Sequence, residues 1–366
     1  MSKIELTISP NYVPTWTYLD AVRELFQNAL DQEAQNPANV MRWSYDEDRH
    51  SLTISNANST LSIASLLLGQ TSKADDKSTI GQFGEGYKIA TLVLLREGKT
   101  VTFYNYGARE IWRPRFVKSR RFGTDILTFF TEKLGLLDAT PSDDLSVVIE
   151  GITAEEYSKI VDSNLHMRSD YEIVETTEHG EILNLPGQVF VNGLYVCTYE
   201  PYTYGYNFKP EYLKLDRDRK MVSDFDLRWL ASRVWSASKD QNKVLDMIAE
   251  GKADVAYINS VDWTTDWSKL AADKFIAKYG IGSIPVSTQE ELDNLPDGYT
   301  GIIVNQSYKD LLTHSLRFTV SRPSRRSIAL NNIQEWFDNI KHKLSDEEAT
   351  QFEELLEEVK TCYLRR

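Results

Sequence analysis

Apolar and polar positions along this chain switch repeatedly between a helical and an alternating period. Leu19, Val22, Phe26, Ala29 and Leu30 recur at helical spacing, about 100° per residue, and predict an amphipathic helix over residues 18–33. Alternating or β-rich stretches at 4–9, 40–45 and 51–55 predict strands, the last two joined by a charged turn. A long polar stretch, 56–79, holds one apolar helical piece at 63–68, and a glycine cluster at 81–86 then opens a helix to about residue 96. Strands follow at 100–105, 111–117, 124–130 and 145–150. Thr153 and Glu156 make a capping box for a helix to about residue 163. Asn192-Gly193 between 188–191 and 194–198 is the strongest short hairpin signal. Residues 223–247 favour helix, and 254–326 alternate strand-like and helix-like pieces, including 301–304 and 308–312. Ile333, Trp336, Phe337, Ile340 and Leu344, then Phe352, Leu355, Leu356 and Val359 behind a Ser345–Glu348 capping box, predict a helical C-terminus. The second stripe fits core packing or a dimer contact.

Length and composition narrow the class. The 366 residues suggest two or three domains, and 41% hydrophobic with 26% charged residues is the balance of a folded chain with real cores. No run of about 18 apolar residues exists, so no membrane span is expected. The first residues lack a charged-then-apolar signal pattern. Two distant cysteines, Cys197 and Cys362, make no disulfide framework, and a cytoplasmic location is expected. A net charge of −13 disfavours nucleic acid as a partner. Two basic stretches run against it: Arg113, Arg115, Lys118, Arg120 and Arg121, and then Arg322, Arg325 and Arg326. Each is either a solvated loop or a docking site for phosphates or an acidic partner.

Two groups of residues carry candidate chemistry. Glu24, Asn28 and Asp31 share the helix face opposite the apolar stripe. An amide oxygen and a carboxylate at this spacing suit Mg²⁺ and its waters, and a glutamate can take a proton from an attacking water. The alternative is the solvated face of an ordinary amphipathic helix. Gly81, Gly84 and Gly86 lead into a helix beside Lys88. Glycines let backbone N–H groups approach phosphate, and a helix N-terminus adds its positive dipole end. The alternative is a plain tight turn; the spacing is not that of a P-loop.

In this order and spacing the two groups resemble the GHKL (gyrase, heat-shock chaperone, histidine kinase, mismatch-repair) ATPase superfamily. Glu24-Leu-Phe-Gln-Asn28-Ala-Leu-Asp31 looks like its E-x-x-x-N-A-x-D box. Ile80-Gly-Gln-Phe83-Gly-Glu-Gly-Tyr is similar to the glycine loop of the ninety-kilodalton heat-shock chaperones, and its Gly-Glu-Gly-Tyr-Lys88 ending to that of the microrchidia ATPases. Leu68-Gly-Gln-Thr-Ser-Lys73 looks like the start of a mobile ATP lid, and Gly123-Thr124 like the family's adenine-side Gly-Thr. The resemblance implies ATP and Mg²⁺ as ligands, Glu24 as general base, and Asn28 as metal ligand. It also implies Asp31 as a supporting polar group, with Lys73, Gly81, Phe83, Gly84, Gly86, Lys88 and Thr124 around the nucleotide. Leu213-Lys-Leu-Asp-Arg-Asp-Arg219-Lys-Met221 is similar to the chaperone segment whose arginine reaches the γ-phosphate, which makes Arg219 a candidate sensor. The alternative for Arg219 is a surface salt-bridge cluster with its neighbours Asp216 and Asp218.

One motif departs from the family. Where the family has D-x-G-x-G after a strand, this chain has Asn56-Ala-Asn58-Ser-Thr60. An asparagine oxygen can accept from the adenine amino group, but an amide can also be turned to suit a keto base.

The expected fold is therefore α+β. A Bergerat-type domain over residues 1–185, a mixed sheet covered by helices, is followed by a transducer-like α/β domain over 186–326 and a helical segment over 327–366. The expected activity is Mg²⁺-dependent ATP binding with slow hydrolysis, coupled to lid closure and conformational change or homodimerisation, serving an unidentified protein client. Two alternatives remain: a binding module with a degenerate pocket, and a nucleic-acid-acting member. Histidine-kinase, zinc-hydrolase and serine-triad chemistry lack their motifs.

Overall fold

In the computed structural model, the described residues are 2–67, 86–135, 144–213, 223–258, 265–295, 299–314, 333–334 and 336–364. They pack as two units, Met1–Glu200 with Tyr204–Val222, and Pro201–Thr203 with Ser223–Arg366.

The first unit is built on a seven-stranded sheet of β1 (Ser2–Glu5), β2 (Met41–Asp46), β3 (Ser51–Asn56), β4 (Thr100–Asn105), β5 (Glu110–Lys118), β6 (Asp125–Lys133) and β7 (Leu145–Glu150). Its order is β1-β6-β5-β4-β7-β3-β2, and every pairing is antiparallel. One face carries Leu52, Ile54, Val101, Phe103, Trp112, Phe129 and Ile149, which are buried against α1 (Tyr18–Gln35) and α2 (Gly86–Arg96). The other face carries residues such as Ser55, Thr102, Tyr104, Arg113, Arg115 and Ser146, all half-buried or exposed. This alternation is what a sheet with a single packed face requires. α3 (Ala154–Asp162) begins at the expected Thr153–Glu156 capping box. Burial would push the Glu156 carboxyl up, but its bonds from Lys99 and Thr153 outweigh this and hold it below the usual range.

A second sheet, of β8 (Ile173–Thr176), β9 (Gly180–Leu183), β10 (Gln188–Val191), β11 (Leu194–Thr198) and β12 (Gly205–Phe208), has the order β11-β10-β12-β9-β8. The hairpin expected at Asn192-Gly193 is present, with both residues at positive φ (50° and 77°) and Val191 opposite Leu194. That is the conformation a two-residue primed turn demands. The hairpin lies in the first unit, not at the start of the second as the sequence division placed it. The parallel pairing expected in the first sheet occurs here instead, between β10 and β12.

The second unit is mainly helical. The segment expected as one helix is two, α4 (Asp224–Ser236) and α5 (Gln241–Glu250), because Asp240 caps a fresh start by accepting from Lys243 N at 3.1 Å. Then come α6 (Thr265–Tyr279), β13 (Ser283–Val286), α7 (Gln289–Asp293), β14 (Thr300–Ile303), parallel to β13, and α8 (Gln306–Thr313). α9 (Asp346–Leu364) follows the Ser345–Glu348 box. Along its apolar stripe Phe352 stacks on Phe337 and Leu356 is buried, while Leu355 and Val359 are exposed.

One end of the α1–α2 pair is held by side-chain bonds. The half-buried Arg96 guanidinium, at the end of α2, donates to the carbonyls of Pro10, Tyr12, Val13 and Trp16, at 2.7–3.2 Å. Its neighbour Glu97 accepts from Tyr18 N at 2.9 Å, at the start of α1. The same α1 terminus is capped by Asp20, which accepts from Thr17 N. Charged hydrogen bonds are worth more than neutral ones, and their loss would leave several carbonyls short of a donor. Arg96→Ala is expected to lower stability by about 2–4 kcal/mol in urea titration. A loss below about 0.5 kcal/mol would show that the Pro10–Trp16 loop holds itself.

Candidate functional site

Helix α1 decides whether the sequence motif is chemical or merely wet. If Glu24 and Asp31 belonged to a solvated face they would be exposed. Instead each is only 2% exposed, on the face opposite Val22, Phe26 and Ala29. A helix buried on both its apolar and its polar side has a polar surface turned into the molecule. Gln27, also 2% exposed, flanks this polar side, three residues after Glu24 and four before Asp31, at spacings that put neighbours on one helix face. Among the described residues its buried Nε2 has no hydrogen-bond partner. Buried donors are rarely left so, which makes Gln27 a group that a ligand could satisfy. The sequence reading passed over Gln27; its position between two motif carboxylates is the signal that could have found it.

The start of α2 meets this face. A Cβ built on Gly86 would stand 2.7 Å from Glu24 Oε2 and 3.2 Å from Asn28 Nδ2. Glycine is thus required for the two motifs to approach so closely. Asn28 Nδ2 donates to Glu24 O at 2.8 Å, which orients the amide and leaves Oδ1 as its acceptor. An oxygen so placed fits a hard cation. Among the described residues no three His, Cys, Asp or Glu side chains cluster as a metal site, so a cation here would draw most of its ligands from phosphate and water.

Lys88 is wholly buried in the first turn of α2, and its Nζ donates to Leu67 O at 2.5 Å. This ties residue 67 to the helix. Beside it Tyr87 donates to Ser65 O at 2.8 Å. Burial pushes the Tyr87 phenol up to about 12, against a weaker opposing effect of Ser65, so it stays a donor at neutral pH.

Asn56 ends β3, and its Nδ2 donates both hydrogens, to Ala29 O at 2.9 Å and Asn39 O at 3.0 Å. Carbonyl oxygens can only accept, so the amide cannot be turned round, and Oδ1 is the acceptor that remains. A ligand at this amide would find an acceptor, not a donor. The strand register extends the row. Asn56 lies opposite Leu145 on β7, which lies opposite Asn105 on β4. Asn105 is wholly buried and clamps Leu61 through both its amide atoms, accepting from Leu61 N at 3.2 Å and donating to Leu61 O at 2.7 Å. Nothing in the local sequence marked Asn105, because its role depends on strand pairing.

Thr124 does not join the site. The row of Asn56, Leu145 and Asn105 continues through Glu110 to Lys133 on β6. Thr124 precedes the other end of β6, exposed at the tip of the β5–β6 hairpin. Four strand spacings across and nine residues along put it on the order of 35 Å from Asn56 in a flat sheet. Gly-Thr was matched by local spelling, whereas the strand beside Asn56 is β7. Lys73, Gly81, Phe83, Gly84 and Arg219, and also Arg322, Arg325 and Arg326, lie outside the described residues.

Comparisons with known proteins add the following. A family model described as the Mycoplasma pneumoniae MPN635 N-terminal domain matches residues 155–241, outside the α1–α2 site. An uncharacterised Mycoplasma pneumoniae protein is 24% identical over 232 residues, 61% of this chain and 92% of the relative. Among solved structures, the ATPase and transducer domains of DNA topoisomerase II from Balamuthia mandrillaris match at 12% identity and a TM-score of 0.31. The ATPase region of Saccharomyces cerevisiae topoisomerase II matches at 9% and 0.33. Each of these covers 49% of this chain, which spans about three fifths of the solved chains (60% and 62%).

Proposed function

We propose that the chain binds ATP with Mg²⁺ on the polar face of α1, beneath Gly86, and hydrolyses it slowly. The observation that carries this reading is the contact at Gly86. Two motifs far apart in sequence, each with a plain alternative reading, meet within 2.7–3.2 Å of one missing Cβ, over a carboxylate that is buried. The resemblance of these motifs to GHKL ATPases gives the contact its interpretation.

In this reading Asn28 Oδ1 would hold Mg²⁺, which when bound neutralises charge on the phosphate oxygens. Glu24 would take the proton of the water that attacks the γ-phosphate. Gln27 would give its uncommitted N–H to an anionic oxygen, and Asp31 would support the same polar surface. The helix N-terminus at Gly86 would face phosphate with its dipole, and Gly81, Phe83, Gly84 and Lys73 would complete that side. Lys88, bound to Leu67 O, would act by holding residue 67 against α2. Asn56 Oδ1 would accept from the adenine amino group. Arg219 would reach the γ-phosphate from a transducer-like region over 186–326, and nucleotide would drive a conformational change or homodimerisation that acts on a protein client.

Three outcomes test this. Isothermal titration is expected to show Mg²⁺-dependent ATP binding that Asn28→Ala weakens about tenfold or more. No binding of ATP to the wild type would favour a degenerate pocket. Glu24→Ala is expected to retain binding and lose turnover, and sustained wild-type turnover in it would remove Glu24 as base. Asn56→Asp, although it restores the family's residue, is expected to cost about 3 kcal/mol at neutral pH, because a carboxylate cannot donate to Ala29 O and Asn39 O. The deficit should narrow as pH falls, since the protonated acid can donate one bond. An Asn56→Asp protein as stable as the wild type at pH 8 would contradict the bracing role.

A further inference from the structure

We propose that the tip of the β5–β6 hairpin is a binding surface for single-stranded nucleic acid. The basic stretch that the sequence left between two readings is concentrated here. Arg113 is neutralised by Glu132 across the ladder. Arg115, Lys118, Arg120 and Arg121 are all exposed and have no ion-pair partner among the described residues. Asp125 stands opposite Lys118 in the register without forming an ion pair. In a chain of net charge −13, four uncompensated cations on one hairpin are a local reversal of sign. Such a reversal selects a polyanion.

The aromatic groups select which polyanion. Phe122 is 48% exposed at the tip, and the Arg121 guanidinium lies 5.4 Å from its ring. The Arg115 guanidinium lies 4.0 Å from the centre of the Phe130 ring, on the sheet face that carries no helix. Exposed rings are platforms for unpaired bases, while the four cations meet phosphates. An acidic peptide would use the cations but has no need of Phe122. The tip is also preset. Ser119 N donates to Thr124 O and Gly123 N to Ser119 O, both at 2.9 Å, and Gly123 takes the left-handed conformation (φ 67°) that closes the turn.

This surface lies at the sheet end opposite Asn56, so it is separate from the proposed nucleotide site and does not depend on it. Fluorescence anisotropy of the full chain with a labelled oligothymidylate, across a salt series, tests it. Binding is expected to weaken with salt at a slope of about −3 for four phosphates on a single strand. Lys118→Ala/Arg120→Ala/Arg121→Ala should bind at least about tenfold more weakly and bring the slope to about −1. Phe122→Ala should weaken binding while leaving the slope unchanged, because stacking releases no counterion. Far-UV circular dichroism and an unchanged urea midpoint check that the variants fold. The proposal is overturned if the wild type does not bind, or if the triple variant binds like the wild type. It is equally overturned if Phe122→Ala has no effect and an oligoglutamate of equal charge competes as well as the oligonucleotide.

Discussion

The Glu24 carboxylate and the Asn28 amide can lie against the first turn of α2 as they do only because no side chain stands at Gly86. A methyl group there would fall on the Glu24 carboxylate and the Asn28 amide. The far end of the helix pair is held independently, by Arg96 on the carbonyls of the Pro10–Trp16 loop and by Glu97 on Tyr18 N. Glu24, Gln27 and Asp31, on the polar face of α1, are buried instead of wet. The orientation of Asn28 and the uncommitted donor of Gln27 acquire meaning only in that setting.

Asn56 shows how a departure from a family pattern can be forced by its surroundings. Its amide hydrogens join β3 to α1 at Ala29 and to the turn at Asn39. A carboxylate in that place would face two acceptors. The loss of the expected aspartate is therefore compatible with an acceptor at this place, and the same two bonds that brace the fold leave Oδ1 as the atom that accepts.

Local pattern gave most of the first unit, since period and capping are properties of neighbours in sequence. Strands β4, β7, β10 and β11, both ends of the Asn192-Gly193 turn and the Thr153–Glu156 box lie where the sequence placed them. The helix bearing Glu24, Asn28 and Asp31 was also legible, but its burial was not, because burial depends on elements distant in sequence. Pairing across strands was the least legible. Thr124 matched a motif by spelling, yet the register sends it to the opposite end of the sheet, while Asn105, with no motif, lies in the row of Asn56. β8, β9 and β12 are four-residue strands whose pairing is non-local, too short for periodicity to announce.

The account rests on the approach of the two helices, and Gly86→Ala tests it most directly. The added methyl meets the far end of the Glu24 side chain rather than backbone, so the fold should survive within about 1 kcal/mol in urea titration. Isothermal titration of ATP with Mg²⁺ on this folded variant is expected to show affinity reduced about tenfold or more, because the displaced carboxylate and amide no longer present their oxygens together. A stable Gly86→Ala protein that binds ATP and Mg²⁺ as tightly as the wild type would contradict the claim that this contact makes the site.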